Sequence, residues 1–298
     1  MAPSATLLDP EFMRELEALK RRLEVRARSG AAGDLAARRR GGSAEFQEHR
    51  AYEPGDDPRR IDWMAFARRG EPVVKLFRAE EDAIVRLVLD VSASLGQGDP
   101  QKIDVARRLT AAIGYVALTS SQRAQLAIAR ERPSGGALER LAPARRGRSG
   151  FVALLRDLDA ASAAGRADLG AAIEDVVLRS NRAGLLVVLS DFFDPGPVTH
   201  ALGRARAAGH DVALVQIFAR GELEPAFDGD YTLVDCETEG TVEVTVDAAA
   251  VSAYLLRLAG LVEELRGWAR THGASYVRAV SDEPLEGVMR RFVAREVD

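Results

Sequence analysis

The sequence predicts an α/β protein built on a doubly wound, largely parallel sheet with helices on both faces, preceded by a helical and strand extension. Three observations carry this. From residue 84 onward, short runs of Leu, Val and Ile alternate with longer stretches whose apolar residues recur at helical spacing. The short runs are apolar at nearly every position, the pattern of strands covered on both faces. Two of them, "LVLD" at 87–90 and "LLVVLSD" at 185–191, end on a carboxylate.

The elements follow in order. Asp9 and Pro10 form an N-cap and first-turn pair, and Phe12, Leu16, Leu19 and Leu23 then mark one apolar stripe of a helix that packs on its own domain or on a partner helix. The stretch "RARSGAAGDLAARRRGGSAEF" is rich in Gly, Ala, Ser and Arg without periodicity and predicts a mobile basic connection. In "YEPGDDPRRIDW" the turn residues Pro54 to Pro58 lead into a short helix, with Asp57 as N-cap, Pro58 in the first turn and Gly70 as terminator. A strand follows at 73–78.

The alternating region then reads as a strand at 84–89, a helix at 102–120, a strand at 125–129, and helices at 150–158 and 169–178. Next come a strand at 185–189, a helix at 198–208, a strand at 212–218 and two short strands within 231–246. A long helix at 249–269, with Val251, Leu255, Leu258, Val262, Leu265 and Trp268 inward, precedes a strand at 275–279 and a closing helix at 286–293. This divides the chain into an extension, 1–82, and an α/β domain, 83–298.

Composition narrows the function. A net charge of -4 over 298 residues argues against a broad nucleic-acid footprint, which needs a basic excess to displace counterions. The basic runs Arg38 to Arg40 and Arg145 to Gly150 have no interleaved aromatic residues, and only 6% of the chain is aromatic, so stacking platforms are not expected. A single cysteine, Cys236, excludes an intrachain disulfide and reads as a buried or inert thiol in a reducing compartment. With no secretory signal pattern and no apolar run of membrane-spanning length, the expected location is cytoplasmic, without direct membrane insertion.

The chemistry sits in "LVLDVSASLGQG". Ligands of open α/β sheets collect beyond the carboxyl ends of strands where the strand order reverses. If the strands ending at Leu89 and Leu189 are neighbours there, Asp90 and Asp191 meet on one rim with Ser92 and Ser94 between them. Carboxylate and hydroxyl oxygens without nitrogen or sulfur suit a hard cation, Mg2+ or Mn2+. The alternative is structural: Asp90, Ser92 and Ser94 form turns and cap the next helix.

At these residues the chain resembles the von Willebrand factor A fold and its metal-ion-dependent adhesion site, whose signature is Asp-x-Ser-x-Ser, then a threonine, then an aspartate. More narrowly, "RAYEPGDDPRRIDWMAFARRGEPVVKLFRAEED" upstream of "LVLDVSAS" resembles the bacterial DUF58 family, often encoded beside MoxR-type AAA+ ATPases. The resemblance implies that Ser92 and Ser94 bind the ion directly while Asp90 and Asp191 act through water. The threonine position aligns with "GRADLGAAI" and is Ala167, whose methyl cannot ligate; Asp168 either turns in or caps the following helix. The implied site is therefore degenerate: it binds metal weakly, binds it only when a partner supplies a carboxylate, or has lost the metal and kept the surface.

The implied function is a noncatalytic interaction module that works with a MoxR-type ATPase on a protein client. The alternative is a magnesium-dependent phosphohydrolase using Asp90 as nucleophile, although Ser92 stands where a second carboxylate would act as acid and base. Lys102 reads as a surface lysine or as a charge neutraliser. Asp56, Asp57, Arg59, Asp62 and Arg68 form either an ion-pair lattice around a core Trp63 or a docking surface for the ATPase. No phosphate-binding loop, histidine cluster or hydrolytic triad is present in the sequence.

Overall fold

The computed structural model describes residues 7, 9–28, 45–54, 56–58, 61–78, 83–238 and 240–294. The predicted connection, with Arg38 to Arg40, lies almost wholly outside them, as does Arg59. The elements are α1 (Pro10–Arg28), β1 (Glu45–Ala51), α2 (Trp63–Arg69), β2 (Val73–Arg78), β3 (Ile84–Asp90), α3 (Lys102–Thr119), β4 (Arg123–Ala129), β5 (Leu138–Leu141), α4 (Gly147–Asp159) and α5 (Leu169–Leu178). They continue as β6 (Leu185–Ser190), α6 (Pro195–Ala207), β7 (Asp211–Phe218), α7 (Arg220–Leu223), β8 (Gly229–Val234), β9 (Thr241–Val246), α8 (Ala248–His272), β10 (Ser275–Val280) and α9 (Leu285–Ala294), with a 3-10 turn at Ala93–Gly96.

The chain forms two units, one of residues 1–31 with 83–298 and one of residues 32–82. The expected grouping of 1–82 is thus corrected at its start. Helix α1 belongs to the larger unit because its stripe is already buried there: Phe12, Leu16 and Leu19 join the core, and the Leu7 N–H donates to Asp159 Oδ1 at 2.8 Å.

In the smaller unit β1 pairs with β2 antiparallel. The helix start is also corrected. Asp62 caps α2, its Oδ1 accepting the N–H groups of Met64 and Ala65 at 3.1 Å each, and Gly70 closes the helix with φ 75°. Asp57 and Pro58 lie in the preceding turn, where the Ile61 N–H donates to the Pro58 carbonyl, and Asp56 is held by Arg50 through both carboxylate oxygens at 2.7 Å. Trp63 is 62% exposed and not a core anchor.

The larger unit holds a six-stranded sheet in the order β10-β7-β6-β3-β4-β5, parallel except for β5. The central strand β3 is buried along nearly its whole length. Because side chains alternate across a strand, Leu87 and Leu89 enter one core layer with α1, α3, α4 and α9, while Val88 enters the other with α5, α6 and α8. Uniform apolarity in the sequence reflects these two layers. Strand β5, "LERL", was not predicted; at the sheet edge two charged residues face out between two leucines.

Candidate functional site

The register between β3 and β6 places Leu89 opposite Leu189, so the two strand ends are neighbours while β4 lies on the other side of β3. That is where the strand order reverses. Asp90 ends β3 and is tied on both oxygens: the Ser92 N–H donates to Oδ1 at 2.8 Å, and the Ser190 hydroxyl donates to Oδ2 at 2.7 Å. Ser190 in turn accepts the Phe192 N–H at 3.0 Å. Phe192 is buried and holds φ 53°, a left-handed conformation that costs a bulky residue on the order of 1–2 kcal/mol and persists because its surroundings fix it. Beside Asp90 the Ser92 and Ser94 hydroxyls share a hydrogen bond, their oxygens 3.0 Å apart.

The turn after this segment passes close to the end of β7. A Cβ on Gly98, whose φ is +95°, would stand 2.7 Å from the Ala219 Cβ. Only glycine suits both constraints.

Asp191, one residue beyond β6, meets Lys102. The ammonium donates to Asp191 Oδ2 at 2.9 Å and to Glu222 Oε1 at 2.6 Å, and lies 4.9 Å from the Phe193 ring centroid. Lys102 has 0% exposure, which corrects its reading as a surface lysine. The signal was present in the sequence: Lys102, Ala106, Leu109 and Ile113 share one helical face, so the lysine begins the inward stripe of α3. The backbone carbonyl of Asp191 accepts from Gln216 Nε2 at 2.8 Å, and Gln216 Oε1 accepts the Tyr276 hydroxyl at 2.7 Å. Glu222 also accepts the Ala219 N–H through its other oxygen. Sequence reasoning missed Ser190, Gln216, Glu222 and Tyr276 because each acts through a neighbour distant in the chain.

Burial, then the negative charge of Asp191, pushes the Asp90 carboxyl up to about 6, against the hydrogen bonds from Ser190 and Ser92 that favour its charged form. Burial alone would lower the Lys102 ammonium. The charges of Asp191 and Glu222 and their hydrogen bonds outweigh it, and the group is raised. The lysine stays charged at neutral pH, so the rim already contains one cation.

Asp168 does not turn in. It caps α5, accepting the Ala171 N–H at 2.8 Å from an exposed position. Its loop nevertheless borders the rim, since Ala93 N–H donates to the Gly165 carbonyl at 2.9 Å and Ala164 N–H to the Val91 carbonyl at 3.0 Å. Cys236 is exposed, so of the buried or inert thiol expected only the inert reading stands; partial desolvation of its sulfur, then the charges of Glu237 and Asp235, raise the thiol, which keeps it protonated.

The donor set fits a small hard cation in part. Around magnesium, at about 2.0–2.1 Å, neighbouring octahedral oxygens lie roughly 3 Å apart, which is the spacing of the Ser92 and Ser94 oxygens. Asp90 has both oxygens engaged and would act through water. Asp191 is neutralised by Lys102, and Ala167 offers no oxygen. Among the described residues, no group of three or more His, Cys, Asp or Glu side chains could hold a metal ion, so any site here depends on the hydroxyls. The same engagement argues against Asp90 as a nucleophile, which needs an exposed oxygen free to attack; Asp90 is 5% exposed.

The Asp90, Ser92 and Ser94 rim lies at the reversal point of a mostly parallel six-stranded sheet with helices on both faces, an α/β architecture. Residues 48–259 match the family described as Protein of unknown function DUF58, and the chain belongs to that family. An uncharacterized protein of Mycobacterium tuberculosis is 31% identical over 291 residues, covering 96% of this chain and 90% of its own. Among solved structures, the conserved hypothetical protein BatB from Bacteroides thetaiotaomicron is similar at 14% identity and a TM-score of 0.44, over 72% of this chain and 98% of that one. A von Willebrand factor type A protein from Catenulispora acidiphila is similar at 15% identity and a TM-score of 0.39, over 74% and 44% respectively. Among the described residues no helix is long and apolar enough to cross a membrane.

Proposed function

We propose that the chain is a noncatalytic protein–protein interaction module that works with a MoxR-type AAA+ ATPase on a protein client, and that the rim engages an acidic side chain of its partner. The observation that carries this reading is the Ser92 and Ser94 hydroxyl pair, 3.0 Å apart beside the buried Asp90. Ser92 and Ser94 would hold Mg2+ or Mn2+, with Asp90 oriented by Ser190 and the Ser92 N–H to receive its waters. The ion would supply a bridge between the serine oxygens and a carboxylate brought by the partner. Lys102 limits the negative charge that the protein itself offers, which makes the partner's carboxylate the completing ligand.

The smaller unit supports a docking role for its motif. Asp62 and Ala65 turn inward on α2, while Trp63, Met64 and Phe66 are 62%, 71% and 38% exposed, three large apolar side chains within one turn. Exposed aromatic anchors of this kind are typical of binding surfaces.

The test is capture of the purified ATPase with magnesium and with chelator. The Asp90→Ala, Ser92→Ala double variant is expected to lose the magnesium-dependent fraction. Undiminished capture by a folded double variant removes the rim from the mechanism.

A further inference from the structure

The hairpin of β8 and β9 stands apart from the main sheet as a two-stranded ribbon, with neither outer edge paired to another strand among the described residues. Its pairing sets Tyr231 opposite Val244 and Leu233 opposite Val242 on one face, and Thr232 opposite Glu243 and Asp230 opposite Thr245 on the other. The first face is apolar yet open: Leu233 is 54% and Val242 61% exposed, and Phe227, itself exposed, meets Tyr231 edge to face at 5.6 Å.

The chain segment that carries this face has charge of one sign. From residue 221 to 256 the chain carries nine acidic residues and no Lys, Arg or His. Some are spoken for, Glu222 by Lys102, Glu224 by Arg220, Glu237 by Arg166 and Asp247 as the cap of α8. Asp228, Asp230 and Glu243 have no basic partner among the described residues. Exposed strand edges are commonly protected by lysine; this one is bordered by carboxylates, which repel acidic strands and attract basic ones.

We propose that the hairpin is a docking surface for an extended basic segment of a partner protein, which adds as a third strand. Alternation along that segment would lay apolar side chains on the Tyr231, Leu233 and Val242 face and direct Lys or Arg to Asp230 and Glu243 on the other. The surface is built from residues outside the rim and does not depend on the rim's function.

The full chain is titrated, by fluorescence anisotropy, with a labelled nine-residue peptide of alternating lysine and valine. Controls are a peptide with glutamate in place of lysine and one of the same lysine and valine content in blocks. The alternating basic peptide is expected to bind at least about tenfold more tightly than either control. The Leu233→Ser, Val242→Ser variant alters two exposed positions and is checked by circular dichroism; it is expected to lose about tenfold in affinity, as is Glu243→Lys. Equal binding of alternating and block peptides, or binding unchanged in the folded double variant, overturns the proposal. So does self-association of the chain that the double variant abolishes, which would make a second copy the occupant.

Discussion

The Lys102 ammonium and the Asp191 carboxylate form an ion pair of 2.9 Å with side-chain exposures of 0% and 5%. It joins the start of α3 to the end of β6, and Glu222 extends it to α7 at 2.6 Å. Removing one member of a buried pair leaves the other charge uncompensated, at a cost of about 3–5 kcal/mol. Lys102→Met is therefore expected to destabilise the protein by that amount in urea unfolding, and adding Asp191→Asn to recover part of it. A loss below about 1 kcal/mol, the range of exposed pairs, would show that the pair is open to water.

Asp90 makes stability depend on pH in an unusual direction. Its folded value of about 6 lies above the ordinary 3.8, so between those values the folded state binds more protons than the unfolded one. Stability from this group is greatest below about pH 4 and is lost as pH rises through about 6, an effect of up to about 3 kcal/mol. Asp90→Asn is expected to flatten this part of the profile between pH 4.5 and 7.5. A wild-type minus variant difference that does not change with pH would refute the assignment.

Fold and rim were legible to different depths. The apolar runs that became β3, β6 and β7 announced themselves because burial on both faces leaves no polar position to obscure them. The edge strands β1 and β5 did not, since "EFQEHRA" and "LERL" owe their conformation to pairing with β2 and β4. Asp90, Ser92 and Ser94 were legible as a short motif. Lys102 was misread because a charge at the start of a helix ordinarily faces water, and only the arrival of Asp191 and Glu222 from 89 and 120 residues away makes its burial tolerable.

Ala167 offers a gain-of-function test of the cation reading. The loop that carries it is pinned beside Val91 and Ala93, so Ala167→Thr supplies the hydroxyl that the adhesion-site pattern has there. Calorimetric titration with Mg2+ or Mn2+ is expected to show affinity raised by about tenfold, roughly 1.4 kcal/mol. Adding Ser94→Ala should reverse the gain. Equal affinities in wild type and Ala167→Thr would place the ion, if bound, away from this loop.

Helix α2 separates stability from docking. Trp63 and Met64 are exposed, so Trp63→Ser with Met64→Ser is expected to change unfolding free energy by no more than about 0.5 kcal/mol for each site. Capture of the ATPase should nevertheless weaken by about tenfold or more, the loss of one aromatic anchor. Asp62→Ala is the contrasting variant: it removes the cap that holds the Met64 and Ala65 N–H groups and should cost the helix about 1 kcal/mol.

Helix α1 is the last test, and it concerns where the domain begins. A detachable extension would tolerate truncation of its apolar stripe, but Leu16 has 0% exposure and sits in the core layer that also holds Leu109 of α3 and Val288 of α9. Leu16→Ala removes buried methyl groups and leaves a cavity that neighbouring helices fill only in part, so it is expected to cost about 2–5 kcal/mol. Single-transition unfolding, followed by both far-ultraviolet circular dichroism and tryptophan fluorescence, should shift as one. A loss under about 0.5 kcal/mol would instead mean that α1 rides on the surface and that the α/β domain stands without it.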